Sequence, residues 1–265
     1  MHVMPFATPV AIARQPQPAG RHRHVLSKLA GWLPLALLLL ASQADAANTS
    51  PAGFDGLTRA VQQFKDDTDY PAGTAVIVVK DGKVAYQGYF GFADIQAKTP
   101  VTRDAVFYIA SATKPFFALD VLLAEHAGRL DTRTSLQAMF PDARFNGFDA
   151  GTVTARHLLT HTSGIENGAL GWATAFSGMH DPASLPRLVM ASQPNAESPL
   201  GTFDYTNIGY NIASLWLDRV DAKQWQAQLQ ARIFAPLRMT HTTARASEAD
   251  VRGWTVAKPY AFIAT

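Results

Sequence analysis

The sequence predicts an α+β fold in which an antiparallel strand hairpin precedes a long helical stretch. Three observations carry that expectation. Apolar residues run on both sides of Asp81-Gly82, a pair that favours a two-residue hairpin turn. Phe54, Leu57, Val61 and Phe64 recur at helical spacing just before it. A second apolar helix opens at Ser111, and a mostly helical pattern continues from there to Ala235.

In chain order, residues 1–46 read as a signal peptide. Arg14, Arg21, Arg23 and Lys28 make a basic start, Leu29 to Ala41 an apolar run, and Ala44-Asp45-Ala46 a small-residue cleavage site. The run is short for a membrane span and Pro34 interrupts it. The expected product is periplasmic or secreted, with no stable membrane span once the leader is cut after Ala46. Cysteine is absent, so no disulfide framework and no lipoprotein attachment site can be drawn. The leader holds four of the 23 Lys and Arg and one of the 21 Asp and Glu, which leaves 19 against 20. The basic balance therefore belongs to the leader, and the rest has no basic-aromatic stripe of the kind nucleic acid needs. Residues 47–265 are enough for one sizeable core, and the expectation is a single domain.

After the helix at Phe54 to Phe64, residues 72–94 read as the hairpin. The next helix lies in "FYIASATKPFFALDVLLAEHAGRL", with Pro115 in its first turn and Gly128 at its C-terminal end. Ser111 and Lys114 stand three apart on it and share a face, so the lysine can hold or take the serine proton. The helix N-terminus adds positive potential for a developing oxyanion. By itself S-x-x-K occurs about once by chance in a chain of this size, and a Ser N-cap followed by a solvent-facing Lys would look the same.

Two further strings decide the matter: "RHLLTHTSGI" from Arg156 and "PLGTFDYTNIGYNIASLWLDRV" from Pro199, with Tyr205-Thr206-Asn207 inside the second. In this order the three strings resemble the serine β-lactamase and penicillin-binding superfamily, in particular its class C β-lactamase and esterase branch, which carries Y-x-N. "GFADIQAKTPVTRDAVFYIAS" and "IFAPLRMTHTT" look like the same family, so the resemblance spans roughly residues 54 to 260. It implies a β-lactamase/transpeptidase-like fold, an antiparallel sheet with a helical domain. It also implies Ser111 as the acylated nucleophile, Lys114 and Tyr205 sharing the proton transfers, and Asn207 aimed at Lys114 or the substrate amide. No cofactor or metal is implied. The substrate would be a β-lactam, a D-Ala-D-Ala-type peptide or a small ester or amide, a choice set by pocket loops rather than shared motifs.

The family's third motif, Lys or His followed by Ser/Thr and Gly on a late strand, is missing after Tyr205, where the only glycines are Gly209 and Gly253. Pro259 in "KPY" lacks the donor a central strand needs. The expectation is therefore a domain incomplete at its C-terminus, lacking strands beside the hairpin, with impaired activity or only acyl-ligand binding. Other residues tempt less. His157 and His161 have the spacing of paired metal ligands on a helix, but no third ligand accompanies them. Glu166 lacks the motif that surrounds a deacylating glutamate, and Trp172, Trp216, Trp225 and Trp254 read as core or pocket wall. Tyr205 at a helix start with Asn207 as N-cap is the competing reading of Y-x-N.

Overall fold

The computed structural model describes residues 3–5, 53–172 and 184–262; the rest of the expected leader lies outside them. They group into two compact units, one formed by the chain up to Phe107 with the residues from Thr255 onward, the other by Tyr108–Trp254.

In the first unit, helix α1 (Asp55–Asp67) precedes strands β1 (Thr74–Lys80) and β2 (Lys83–Phe90), which form the expected hairpin. Lys80 pairs with Lys83 across a two-residue loop. Asp81 and Gly82 both take left-handed φ values, 51° and 69°, the conformation that matches the right-handed twist of the strands. One face of the hairpin meets α1. Tyr86 is buried there, its ring stacked on Phe54 and its hydroxyl hydrogen-bonded to Thr58 at 2.8 Å. Lys65 is also buried, only 6% exposed, and its ammonium donates to the Ala72 carbonyl and to Thr74 Oγ1. The opposite face of the hairpin is bare: Ile77, Val79 and Val84 are 57%, 61% and 54% exposed.

The remaining strands of this unit are short. Phe92–Asp94 pairs antiparallel with Thr99–Pro100, Val3–Pro5 antiparallel with Tyr260–Phe262, and Val106–Phe107 parallel with Val256–Ala257. The antiparallel sheet expected from the sequence is thus drawn, among the described residues, as separate two-stranded pairs, one of them parallel. Beyond Ala257 the Lys258 N–H still donates to the Ala93 carbonyl at 2.8 Å, and Pro259 falls between the two late strands, where no ladder donor is required.

The second unit is helical. Helix α2 (Lys114–His126) follows a 3₁₀ turn at Ala110–Thr113 and carries Pro115 in its first turn. It ends where expected: Gly128 takes φ +69° and its N–H donates to Glu125, while Arg129 N–H donates to Ala124, the reciprocal pattern of a Schellman end. Helix α3 (Ala155–Leu159) starts with a capping box between Thr154 and His157. The long helix α4 (Ile208–Asp221) packs on both. Ile208, Ile212 and Trp216 join Leu158 in one cluster; Ala213 and Leu217 join Phe117, Val121 and Ala124 of α2 in another. Gly209 makes the closest approach, since a Cβ there would stand 2.4 Å from the Leu158 carbonyl oxygen.

Helix α5 (Trp225–Leu229) runs into a π-helical turn at Gln230–Phe234, where the sequence predicts ordinary helix. The extra residue in that turn has a visible use. It brings Arg232 onto Asp120 of α2, 2.8 Å away and 0% exposed, and onto Asp221 of α4, which Arg129 also reaches at 3.1 Å. A buried carboxylate is tolerable only when paired, so this cluster ties α2, α4 and the π turn together.

Candidate active site

All four residues singled out by the sequence lie in the helical unit, and the structure brings them together. Lys114 Nζ donates to Ser111 Oγ at 2.9 Å, to Tyr205 Oη at 2.9 Å and to Asn207 Oδ1 at 2.8 Å. Ser111 sits in the 3₁₀ turn that opens α2, one residue after Ala110, whose φ of +44° is rare for a residue with a Cβ. That turn places the serine and lysine side chains on a common side at the helix start.

Tyr205 reaches Lys114 because its segment is clamped to the H-T-S-G turn. Asn195 N–H donates to Gly164 O at 2.8 Å, Gly201 N–H to Thr162 O at 2.9 Å, and Asp204 N–H to His161 O at 2.8 Å. Gly164 is required twice over: its φ is +65°, and a Cβ would stand 2.4 Å from the Leu200 nitrogen. Asn207 does occupy the N-cap position of α4, as the competing reading held. Its side chain makes no capping bond and is directed to Lys114 instead.

The electrostatics follow from these contacts. As an ammonium Lys114 has three N–H donors, and the three acceptors found around it use all of them. In that state it cannot accept the serine proton, which leaves Tyr205 as the group able to do so. Hydrogen bonds from Lys114 first, then Ser111, hold the Tyr205 phenol below its ordinary value. Lys114 Nζ also lies 4.9 Å from the centre of the Tyr205 ring and 5.6 Å from that of Tyr210. A cleft of about 610 Å³ opens on Ser111 and Lys114 and runs past Phe117 and Leu215 to Asp218 and Trp225, a size that suits a small acyl donor.

Two residues at this site had no assigned role in the sequence reading. The His161 ring lies 4.5 Å from that of Tyr205 and 5.3 Å from that of Tyr210, and the Tyr210 hydroxyl donates to the Leu159 carbonyl at 3.1 Å. The H-T-S-G string was the available signal for His161. His157 and His161 do not share a helix face, because α3 ends at Leu159 and His161 takes φ +58° beyond it. Among the described residues no group of three His, Cys, Asp or Glu could hold a metal. Glu166 is exposed, in a two-residue strand paired with Gln193–Pro194. Trp216 is core, Trp225 lines the cleft, and Trp254 packs on His241 at 5.3 Å.

Comparison with known proteins gives the chain its relatives. The family model described as Beta-lactamase matches residues 57–261. Penicillin-binding protein 4* of Bacillus subtilis is 29% identical over 171 residues, 63% of this chain and 37% of that protein. Among solved structures, the octameric penicillin-binding protein homologue of Pyrococcus abyssi superposes with a TM-score of 0.62 at 27% identity, covering 76% of this chain and 47% of that one. The D-alanine carboxypeptidase AmpC of Burkholderia cenocepacia gives 0.60 at 26% identity, covering 77% and 52%. The chain thus spans about half the length of these solved relatives and little more than a third of the curated one.

Proposed function

The chain belongs to the Beta-lactamase family, and from that membership we propose that it is a serine hydrolase or acyltransferase working through an acyl-enzyme on Ser111. The observation that carries the proposal is the three-way contact of Lys114 with Ser111, Tyr205 and Asn207. In the first step Ser111 Oγ attacks the substrate carbonyl carbon and gives its proton to Tyr205, with Lys114 holding both oxygens. The tetrahedral oxyanion takes up the N–H of Ser111 at the helix start. Collapse breaks the bond to the leaving group, which leaves with the proton relayed from Tyr205 and Lys114, and the acyl group stays on Ser111. Water then gives a proton to Tyr205 as it attacks the ester, with Lys114 holding the phenol oxygen, and the proton passes to Ser111 Oγ as the acid leaves and the serine is restored.

The substrate class is a small-molecule or peptide acyl donor: a β-lactam, a D-Ala-D-Ala-type peptide, or a small ester or amide. Support comes from the cleft beside Ser111 and from relatives whose names refer to penicillin binding and D-alanine carboxypeptidase activity. We propose export as well, on the strength of the basic start, apolar run and A-x-A site of residues 1–46. N-terminal sequencing of protein from the periplasmic fraction should then read from Ala47; residues 1–46 retained on cytoplasmic protein would refute export.

The test of the chemistry is labelling with a fluorescent penicillin and a fluorophosphonate, with the adduct mapped by mass spectrometry. The adduct should lie on Ser111 and vanish in Ser111→Ala. Labelling at another serine, or equal labelling of the variant, would defeat the assignment. Release of acid from a chromogenic cephalosporin or a nitrophenyl ester separates a turning-over hydrolase from an acyl-binding form, which gives one burst and stops.

A further inference from the structure

Tyr205 can share a proton with Ser111 only while its phenol points at Lys114, yet the side chain is 53% exposed and its own helix begins only at Ile208. Little of its own segment fixes it. The backbone bonds that flank it directly come from one residue, 44 positions earlier in the chain. The His161 carbonyl accepts the Asp204 N–H at 2.8 Å, and the His161 ring nitrogen Nδ1 accepts the Thr206 N–H at 3.3 Å. The backbone is therefore held on each side of Tyr205 by the same residue. The imidazole face also lies against the phenol ring, tilted 35° at 4.5 Å, with Tyr210 of α4 at 5.3 Å and Phe203 edge-on at 6.0 Å.

We propose that His161 is the positioning residue of Tyr205, clamping the backbone around it and setting the direction of the phenol toward Lys114. The inference rests on the proposed acyl-enzyme chemistry and deepens it. His161 does not touch the reacting atoms; it acts through Tyr205. Its left-handed backbone, φ +58°, is what lets one residue present both carbonyl and ring to the same segment.

A pH dependence follows from the hydrogen-bond chemistry. Nδ1 can accept from Thr206 only with its lone pair free, and an imidazolium has N–H groups on both nitrogens. Protonation would break the bond to Thr206 and set a second positive charge near Lys114. The groups facing His161 are Lys114 from α2, Tyr210 from α4, and Phe203, Asp204, Tyr205 and Thr206 from the clamped segment. Burial first and then the charge of Lys114 push His161 below the ordinary imidazole value, with the Thr206 backbone contact and then the Asp204 carboxylate opposing. The neutral, clamping form therefore prevails at neutral pH, and positioning is lost as pH falls through that lowered value.

The experiment reads Tyr205 directly, in the full chain. Tyrosinate absorbance, taken as the difference from Tyr205→Phe, gives the phenol titration; fluorescent penicillin or fluorophosphonate labelling of Ser111 gives the acylation rate and its pH profile. In His161→Ala the Tyr205 titration should move up toward an ordinary phenol and acylation should fall about tenfold or more, as displaced catalytic groups do. His161→Asn accepts left-handed backbone readily, and its Oδ1 can take the Thr206 N–H without titrating. It should keep most of the rate and lose the acid limb. An unchanged Tyr205 titration in His161→Ala, or an intact acid limb in His161→Asn, would overturn the inference. Should His161→Ala not fold, the Asn variant decides alone. If wild-type Ser111 is not acylated, the acyl-enzyme reading fails, while the phenol titration still decides the role of His161.

Discussion

The helical unit and the strand unit treat similar residues in opposite ways. Val121 on α2 is fully buried among Phe117, Ala213 and Leu217, whereas Val79 on the hairpin is 61% exposed beside Ile77 and Val84. The helical unit also pairs its buried charges, Asp120 with Arg232, while the strand unit holds the Lys65 ammonium on a carbonyl, a hydroxyl and the Tyr70 ring, with no carboxylate among these contacts. Catalytic geometry depends on positions held to within about half an ångström, which a filled core provides and a bare face does not. Lys114 accordingly opens the helix packed in one of the helical clusters, and Asn207 occupies the N-cap position of the helix shared by both.

The largest expected effect separates chemistry from folding inside the helical unit. Lys114→Ala and Tyr205→Phe should each lower the acylation rate by about 10² to 10⁴, the range of general acid-base groups. Lys114 is only half-buried and Tyr205 is exposed, so thermal unfolding should barely move. Turnover near the wild-type rate in either variant, with unfolding unchanged, would remove that residue from the mechanism.

Next comes the buried ion cluster, where the cost should appear in stability. Arg232→Ala leaves Asp120 in the core with no cation opposite, and one Asp120 oxygen already lacks a partner. Breaking such a pair costs about 3 to 5 kcal/mol. Desolvation raises the Asp120 pKa and Arg232 opposes that shift, so the orphaned carboxyl should favour protonation further. A raised carboxyl pKa adds stability on the acid side, which is lost as pH climbs through it. Urea unfolding of Arg232→Ala at two pH values should accordingly show the smaller deficit at the lower one, and an equal deficit at both would place the cost elsewhere.

What was legible in the sequence follows the same division. Ser111, Lys114, Tyr205 and Asn207 could be singled out because three strings in this order resemble those of a known family, and the hairpin because Asp81-Gly82 specifies its turn locally. The role of His161 was hidden, since its partners are Asp204, Tyr205 and Thr206, more than 40 residues away. Val256–Ala257 was hidden for the same reason: two residues carry no alternation, and their partner is Val106–Phe107. The π turn at Gln230–Phe234 has ordinary helical periodicity, and only the position of Arg232 between two carboxylates reveals its purpose. The antiparallel sheet that the resemblance implied is drawn as short pairs among the described residues, because length of strand, unlike its presence, depends on what lies alongside.

A matched pair of valines sharpens the contrast between units. Val121→Ala removes two methyl groups from a site with no solvent exposure and should cost about 2 to 3 kcal/mol, from lost burial and the cavity left behind. Val79→Ala should cost under about 1 kcal/mol, mostly lost strand preference. Equal costs, measured by urea unfolding, would mean that the two units do not differ in packing as described.

The smallest effect is the most informative about the hairpin. Ile77→Thr and Val79→Thr keep the β-branch that suits a strand and exchange only the exposed methyl or ethyl surface for a hydroxyl. On a bare face such changes should fall within about 0.5 kcal/mol of wild type. The bulge between Val78 and Val79 leaves the register to the turn and to Tyr86 on the other face, so neither change disturbs pairing. If the face is covered in solution, each substitution instead buries a hydroxyl among apolar groups and loses about 1 to 3 kcal/mol. The double variant amplifies the distinction, since two sites on one covered face would both contribute. A midpoint unchanged in the double variant confirms a bare face; a shift of several kcal/mol would show that Ile77 and Val79 are covered after all and would erase the difference between the two units.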